Sequence, residues 1–387
     1  MASTITSQSK STEQPNIESK PNEVTQYYYP DPVSQQVIQQ WLFMDLLPWQ
    51  QATWQYLTTH IDALPHAMLF AGNAGTGKRA FVYRFVAWAL CENQRDNAQG
   101  VTTACGQCQS CQWLIANTHP DLYQIPTPTV ARDASPKSKA NNTLVAQAPT
   151  HQSGYSIKID EIRELQPFVT QSSGGLRIVV IHQADAMTLA ASNALLKTLE
   201  EPAENVLMLL ISDSPSQLLP TIRSRLQAFS VSHITPAQSM QVMQQLMPNA
   251  DTATLQQVSE LSGYAPFLAL QMLNSEWYQH RQTWINSFQA VRSGQRTPVQ
   301  ASNYWQKTLT LTDFLYLSQA LLVPLGQFAV GISASVNDLD FGRLQPAPTL
   351  KQISQLQQVI DQIWQDRQQH IQDKLCYDKI FSTMLDC

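Results

Sequence analysis

Charge is scarce in this chain. Only 14% of its 387 residues are Asp, Glu, Lys or Arg, and Gln and Ser carry much of the polar surface. With 24 basic and 29 acidic residues the net charge is −5, so an overall basic footprint for nucleic acid is lacking. A local DNA-facing patch stays open, but tight autonomous DNA binding is not expected. Long apolar runs are also missing, and none reaches the roughly 18 residues that suggest a membrane-spanning helix. Residues 1–33 have no apolar core of a secretory signal. They are rich in Ser, Thr, Gln, Asn and Pro, which predicts a disordered tail. Without an export signal the expected compartment is the reducing cytoplasm. Six cysteines there suggest metal ligands or buried thiols rather than disulfides. No internal repeat is present.

Apolar residues make up 43%, enough for real cores. At roughly 100–200 residues per domain, the length suits two or three domains. A helical stretch runs from about Gln50 to Ile61, followed by the short apolar run Ala67 to Phe70, which reads as a buried strand. Helical spacing resumes from Arg79 to Cys91. Beyond Tyr123, residues 126–154 are rich in Pro, Ala, Asn, Ser and Thr without apolar periodicity, the composition of an extended loop or insertion. Asp160 is a candidate cap for a helix starting near Glu161. Arg177 to Ile181 is the clearest strand, Asn193 to Glu201 a helix stopped by Pro202, and Val206 to Ser212 a second buried strand. Strands alternating with helices imply a parallel sheet with crossover helices. After about Ser232 the pattern becomes all-helical, as in Leu255/Val258/Leu261 and Leu311/Phe314/Leu315. Ser262-Gly263 marks a turn between two of these helices.

Gly72-x4-Gly77-Lys78 has the spacing of a phosphate loop, with Gly75 between its two ends, a strand before it and a helix after it. Glycines let backbone N–H groups converge on phosphate oxygens at a helix N-terminus, and the lysine reaches the outer phosphates. The next residue should be Ser or Thr, whose hydroxyl binds Mg²⁺; here it is Arg79, which repels a cation. A nucleotide hydrolase also needs an acid at the end of a second buried strand. The strand ending at Ile181 runs into neutral His182 and Gln183, and Asp185 lies three residues further on, where it reads as a turn or cap residue. The loop leaves ATP or ADP binding open while its surroundings argue against hydrolysis.

Cys105-x2-Cys108-x2-Cys111, with Cys91 upstream, forms a second constellation. Four thiolates suit a closed tetrahedral zinc site, structural because no coordination position stays open. Free thiols and a redox cluster are the alternatives. Cys376 and Cys387 are distant, and His119 more readily marks a turn.

Two further runs carry a specific resemblance. They are Asn193-Ala-Leu-Leu-Lys-Thr-Leu-Glu-Glu-Pro202 and Thr221-Ile-Arg-Ser-Arg225. Together with the loop and the cysteines, they resemble the clamp-loader subunits of bacterial DNA polymerase III, of the gamma/tau and delta-prime type, from about Trp49 to Phe229. The resemblance implies an α/β AAA+ P-loop domain over 34–232, holding the zinc module (91–111) and the insertion (126–154). A helical lid over 233–275 and an all-α collar over 276–387 follow. It also implies that Arg225 is an arginine finger acting on the ATP site of a neighbouring subunit, although Leu226 replaces the family's Cys. An arginine fork suits phosphate oxygens. Motor-type subunits keep the loop Ser/Thr, an Asp-Glu pair and a lid arginine, where this chain has Arg79, His182-Gln183 and Pro266. That resembles the stationary, delta-prime type, not expected to be catalytic on its own. Gamma/tau and delta subunits are the implied partners, with the sliding clamp and primer-template DNA contacted indirectly and the polymerase reaction belonging to the holoenzyme. Two rivals remain: an ATP-hydrolysing gamma-like subunit, and a zinc-dependent nucleic-acid-binding protein.

Overall fold

Strands buried on both faces read as continuous apolar runs, and such runs form the middle of the sheet. In the computed structural model, residues 42–43, 45–97, 100–126, 156–170, 174–332, 338–366 and 372–386 are described. The expected tail over 1–33, and all but the first residue of the 126–154 insertion, lie outside the described residues. Strands β1 (Ala67–Ala71), β4 (Leu122–Ile125), β5 (Arg177–Ile181), β6 (Val206–Ser212) and β7 (Gln227–Ser230) form one sheet, in the order β4-β5-β6-β1-β7. Every pairing is parallel. A two-stranded antiparallel ribbon, β2 (Arg95–Asp96) with β3 (Thr102–Thr103), lies in the cysteine module.

Side chains alternate across a strand, and the two faces of the sheet meet different helices. Met68, Phe70, Ile178, Val180, Leu207 and Leu209 pack against Trp54 of α1 (Gln51–Thr59) and against Phe81 and Phe85 of α2 (Lys78–Leu90). Leu69, Val179, Ile181, Met208 and Leu210 pack on the other side. They meet Ile162 and Leu165 of a helix over Ile159–Thr170, and Leu195 and Leu199 of a helix over Leu189–Glu200. With α3 (Gln109–Ile115) in the cysteine module, these two helices are α4 and α5. The short helix α6 (Pro220–Arg223) precedes β7.

Two boundaries differ from expectation. Asp160 lies inside the first turn of α4 rather than capping it, and Glu161 reaches back to the Lys158 amide at 2.9 Å. Helix α5 begins four residues before Asn193, because Thr188 accepts the Ala191 amide at 3.2 Å and starts the helix there.

Beyond Ser230 no further strand occurs among the described residues. Helices α7 (Pro236–Leu246), α8 (Thr252–Leu261) and α9 (Pro266–Asn274) precede α10 (Arg281–Arg292), α11 (Pro298–Thr308), α12 (Leu311–Ala329), α13 (Leu350–Asp366) and α14 (Asp373–Leu385). The turn at Ser262-Gly263 separates α8 from α9, as expected. One apolar cluster runs through this half, from Met243 and Leu270 to Trp284, Phe314 and Phe381. A smaller one, Leu47, Trp49, Val242 and Phe267, ties the segment before α1 to α7 and α9. No single described helix is long and apolar enough to cross a membrane; α11 and α12 pass such a test only as a pair bent by 113°.

Candidate functional site

Strand β1 delivers the chain into the glycine loop, and α2 leaves it. Gly75 and Gly77 have φ of 74° and 79°, a left-handed region that costs other residues strain. A Cβ at Gly75 would also sit 2.5 Å from the backbone N of Leu268, and one at Gly77 would meet the Leu47 side chain at 2.5 Å. Glycine is favoured at both places by conformation, and at Gly75 the Leu268 backbone requires it by space as well, whereas the Leu47 methyl beside Gly77 can move.

Lys78 is 2% exposed. Its Nζ donates to the Asn73 carbonyl at 2.9 Å and to the carboxylate of Asp213. Arg79 donates to the other oxygen of the same carboxylate at 2.6 Å. Asp213 directly follows β6 and is a functional candidate that the sequence reading missed. An acidic residue at the end of a buried parallel strand was the available signal. Burial opposes ionisation of Asp213, but Arg79 and Lys78 outweigh it and hold the carboxyl down at about 2. Burial pulls Lys78 below the usual lysine value, with Asp213 opposing the shift. Asp185, in a single turn over Ala184–Ala186, adds a favourable field at Lys78 beyond the turn role expected of it.

The end of β5 is neutral. His182 is fully buried, and burial followed by the Arg79 charge lowers its pKa to about 3. The Tyr83 hydroxyl of α2 donates to Gln124 Oε1, and lies 2.5 Å from His182 Nε2. A hydroxyl has one proton to give, so Nε2–H of a neutral imidazole is the donor to Tyr83. Gln124 in turn donates to Asn117 Oδ1 at 2.7 Å. Where a hydrolase would place a metal-binding acid, this chain places an uncharged hydrogen-bond chain.

The loop is braced from outside. Phe267 N donates to the Gly75 carbonyl, Trp49 Nε1 to that of Thr76 and Gln50 Nε2 to that of Gly77, each at 3.1 Å. Pro266, where the resemblance led an arginine to be expected in a motor-type subunit, is the first residue of α9 and contributes no charge.

The four expected thiols come together. The sulfurs of Cys91, Cys105, Cys108 and Cys111 all lie within 4.8 Å of one another, with Cys91–Cys108 and Cys105–Cys111 each at 3.9 Å. Tetrahedral zinc with bonds near 2.3 Å needs sulfurs about 3.8 Å apart, so the cluster fits that ion. Backbone N–H groups of Cys105, Gln107, Cys108 and Cys111 point at the sulfurs over 3.2–3.4 Å. Such donors stabilise thiolate; those of Gln107 and Cys108 bring Cys105 down to about 6. Burial raises Cys91 and Cys111, which a cation would reverse. His119 is occupied otherwise: Nδ1 accepts the Asp121 amide at 3.0 Å, and Nε2 meets Ser110 Oγ at 2.8 Å.

Arg225 lies between α6 and β7, away from the loop. It donates to Glu200 Oε1 at 2.6 Å and to the Thr221 carbonyl at 2.9 Å, with its side chain 35% exposed. Leu226 packs on the α4–α5 face of the sheet.

A parallel sheet in this strand order, a glycine loop between β1 and α2, and a helical second half define a P-loop protein of the AAA+ class. Residues 49–235 match the sequence model of a family described as DNA polymerase III, delta subunit. The DNA polymerase III subunit delta-prime of Pseudomonas aeruginosa is 37% identical over 227 residues, 58% of this chain and 60% of the relative. The subunit tau of Bacillus subtilis is 30% identical over 172 residues, 44% of this chain and 25% of the relative. A DNA polymerase III gamma subunit-related protein of Thermotoga maritima has a solved structure that matches with a TM-score of 0.36 at 15% identity, covering 86% of this chain and 98% of that one. Over residues 49–235 the chain is thus similar to the DNA polymerase III delta-prime subunits. It spans about 60% of the length of the Pseudomonas relative.

Proposed function

We propose that this chain is the stationary AAA+ subunit of a bacterial clamp loader, one that does not hydrolyse ATP but completes a neighbour's ATP site. The observation that carries this reading is Arg79. Its guanidinium, 2.6 Å from Asp213, lies where a hydrolase would hold Mg²⁺ through a hydroxyl. Neutral His182 and Gln183 and uncharged Pro266 support the same reading. Gly72, Gly75, Gly77 and Lys78 are the residues that would meet the phosphates of a bound ATP or ADP.

In the proposed assembly, gamma/tau motors and a delta subunit are the partners, and the sliding clamp and primer-template DNA are the downstream targets. The complex acts in the cytoplasm as part of the DNA-directed DNA polymerase, a nucleotidyltransferase. The proposed division is an AAA+ domain over 34–232, a lid over 233–275 and a collar over 276–387. The last two share one apolar cluster. Zinc held by Cys91, Cys105, Cys108 and Cys111 would be structural, fixing the module between α2 and β4.

Arg225 is the proposed finger, half-exposed and oriented by Glu200 and Thr221. Fingers supplied in trans are worth about 10³–10⁵ in turnover in other P-loop enzymes. The test is a loader reconstituted from this chain with motor and delta subunits. Arg225→Ala should leave the chain folded and lower clamp-dependent ATPase at least about tenfold. Unchanged turnover in the assembled complex would refute the finger.

A further inference from the structure

We propose that Asp213 is an internal ligand of the phosphate loop, its carboxylate holding Lys78 and Arg79 in the place a phosphate group would take. The inference goes beyond the non-hydrolysing reading, because a loop can fail to hydrolyse and still bind. Three observations carry it.

Both oxygens of one carboxylate are used, one by the Lys78 ammonium and the other by Arg79 at 2.6 Å. The lysine that would reach a phosphate in such a loop is thus already taken by an anion, and Arg79 adds a second cation to the hold. The contact is also dry: the side chains of Lys78, Arg79 and Asp213 are 2%, 7% and 7% exposed. An ion pair removed from water is strongly held once formed, and removing one partner leaves a buried charge uncompensated. Finally, the loop is closed from its carbonyl side. Phe267, Trp49 and Gln50 bond the carbonyls of Gly75, Thr76 and Gly77 in turn, and Leu268 fills the space beside Gly75. The groups facing Lys78 are thus Asp213, Arg79 and Asp185, with neutral His182 behind Arg79. An entering phosphate would have to displace a carboxylate that both cations already hold. Asp213 therefore sets the loop as a fixed joint between the sheet and α9, independent of nucleotide.

The test is calorimetric titration of the full chain in Mg²⁺-free buffer without chelator, with inorganic pyrophosphate and, separately, ADP as probes. Omitting Mg²⁺ separates binding from hydrolysis, so the outcome does not depend on the clamp-loader reading. Wild type should show no saturable binding. Asp213→Asn should bind both probes saturably, at least about tenfold more tightly than the weakest affinity the titration could have detected in wild type, as expected when a competing charged hydrogen-bond partner is lost. Because that variant strands two buried cations, Arg79→Ser/Asp213→Asn, which leaves Lys78 alone in the loop, is titrated in parallel. Thermal melts with and without pyrophosphate give a second readout. Pyrophosphate should raise the melting temperature of either variant and leave wild type unchanged. Wild type binding as tightly as the variants would overturn the proposal. So would variants that fold without binding, or that pyrophosphate fails to rescue.

Discussion

Burying His182 beside Arg79 commits the folded chain to a neutral imidazole, with consequences for acid stability. Its pKa falls from the ordinary 6.5 to about 3, because burial and then the Arg79 charge disfavour the proton. The unfolded chain takes up that proton below about 6.5 and the folded chain does not. Stability from this residue is therefore complete above 6.5 and falls, by about 1.4 kcal/mol per pH unit, as pH drops toward 3. Asp213 acts lower: its contribution is present above the ordinary carboxylate value of 3.8 and is lost as pH falls through about 2. Urea denaturation at pH 6.5 and pH 5 isolates His182. Wild type should lose roughly 2 kcal/mol more than His182→Gln over that interval, and equal losses would show that the histidine is not held neutral. At the thiols, Cys108→Ser should lower zinc content from about one per chain toward zero; unchanged metal analysis would rule out this ligand set. Lys78 and the thiols were legible because their meaning lies in short spacing along the chain. Asp213 was not, since its partner is 135 positions away and the strand before it was read only for burial.

Among the elements, legibility followed burial. Strands β1, β5 and β6 are runs of apolar residues enclosed on both faces, so sequence alone marked them. The edge strands were missed. Strand β7, Gln-Ala-Phe-Ser, is mostly exposed, and β4, Leu-Tyr-Gln-Ile, is apolar at its ends only. Their pairing to a neighbour defines them more than their own residues do. The β2–β3 ribbon, two residues per strand, gives no periodicity to read. Helix α5 shows how a motif can hide a start: the eye falls on Asn193, while the Thr188 hydroxyl caps the amide of Ala191. Thr188→Ala should cost about 1 kcal/mol, the usual value of a lost N-cap, read as a lower urea midpoint with unchanged slope. No loss would mean that tertiary packing alone fixes that end.

For the whole molecule, charge is placed with economy. The sequence carries little of it, and besides the separately buried Arg84, Arg177 and Arg281 the interior gathers Lys78, Arg79 and Asp213 in one group, with Asp185 nearby. That group lies where the sheet, the segment before α1 and the first turn of α9 meet, so the loop joins the two halves of the chain. The helical half then forms a shared apolar cluster reaching Phe381 and Met384. A molecule built this way can hold geometry at its phosphate loop without the acid and hydroxyl that turnover requires. The most direct measurement of that claim is steady-state Mg-ATP hydrolysis by the purified full chain alone. The account predicts no turnover above a no-protein blank, unchanged by Lys78→Ala. Turnover that Lys78→Ala abolishes would contradict it.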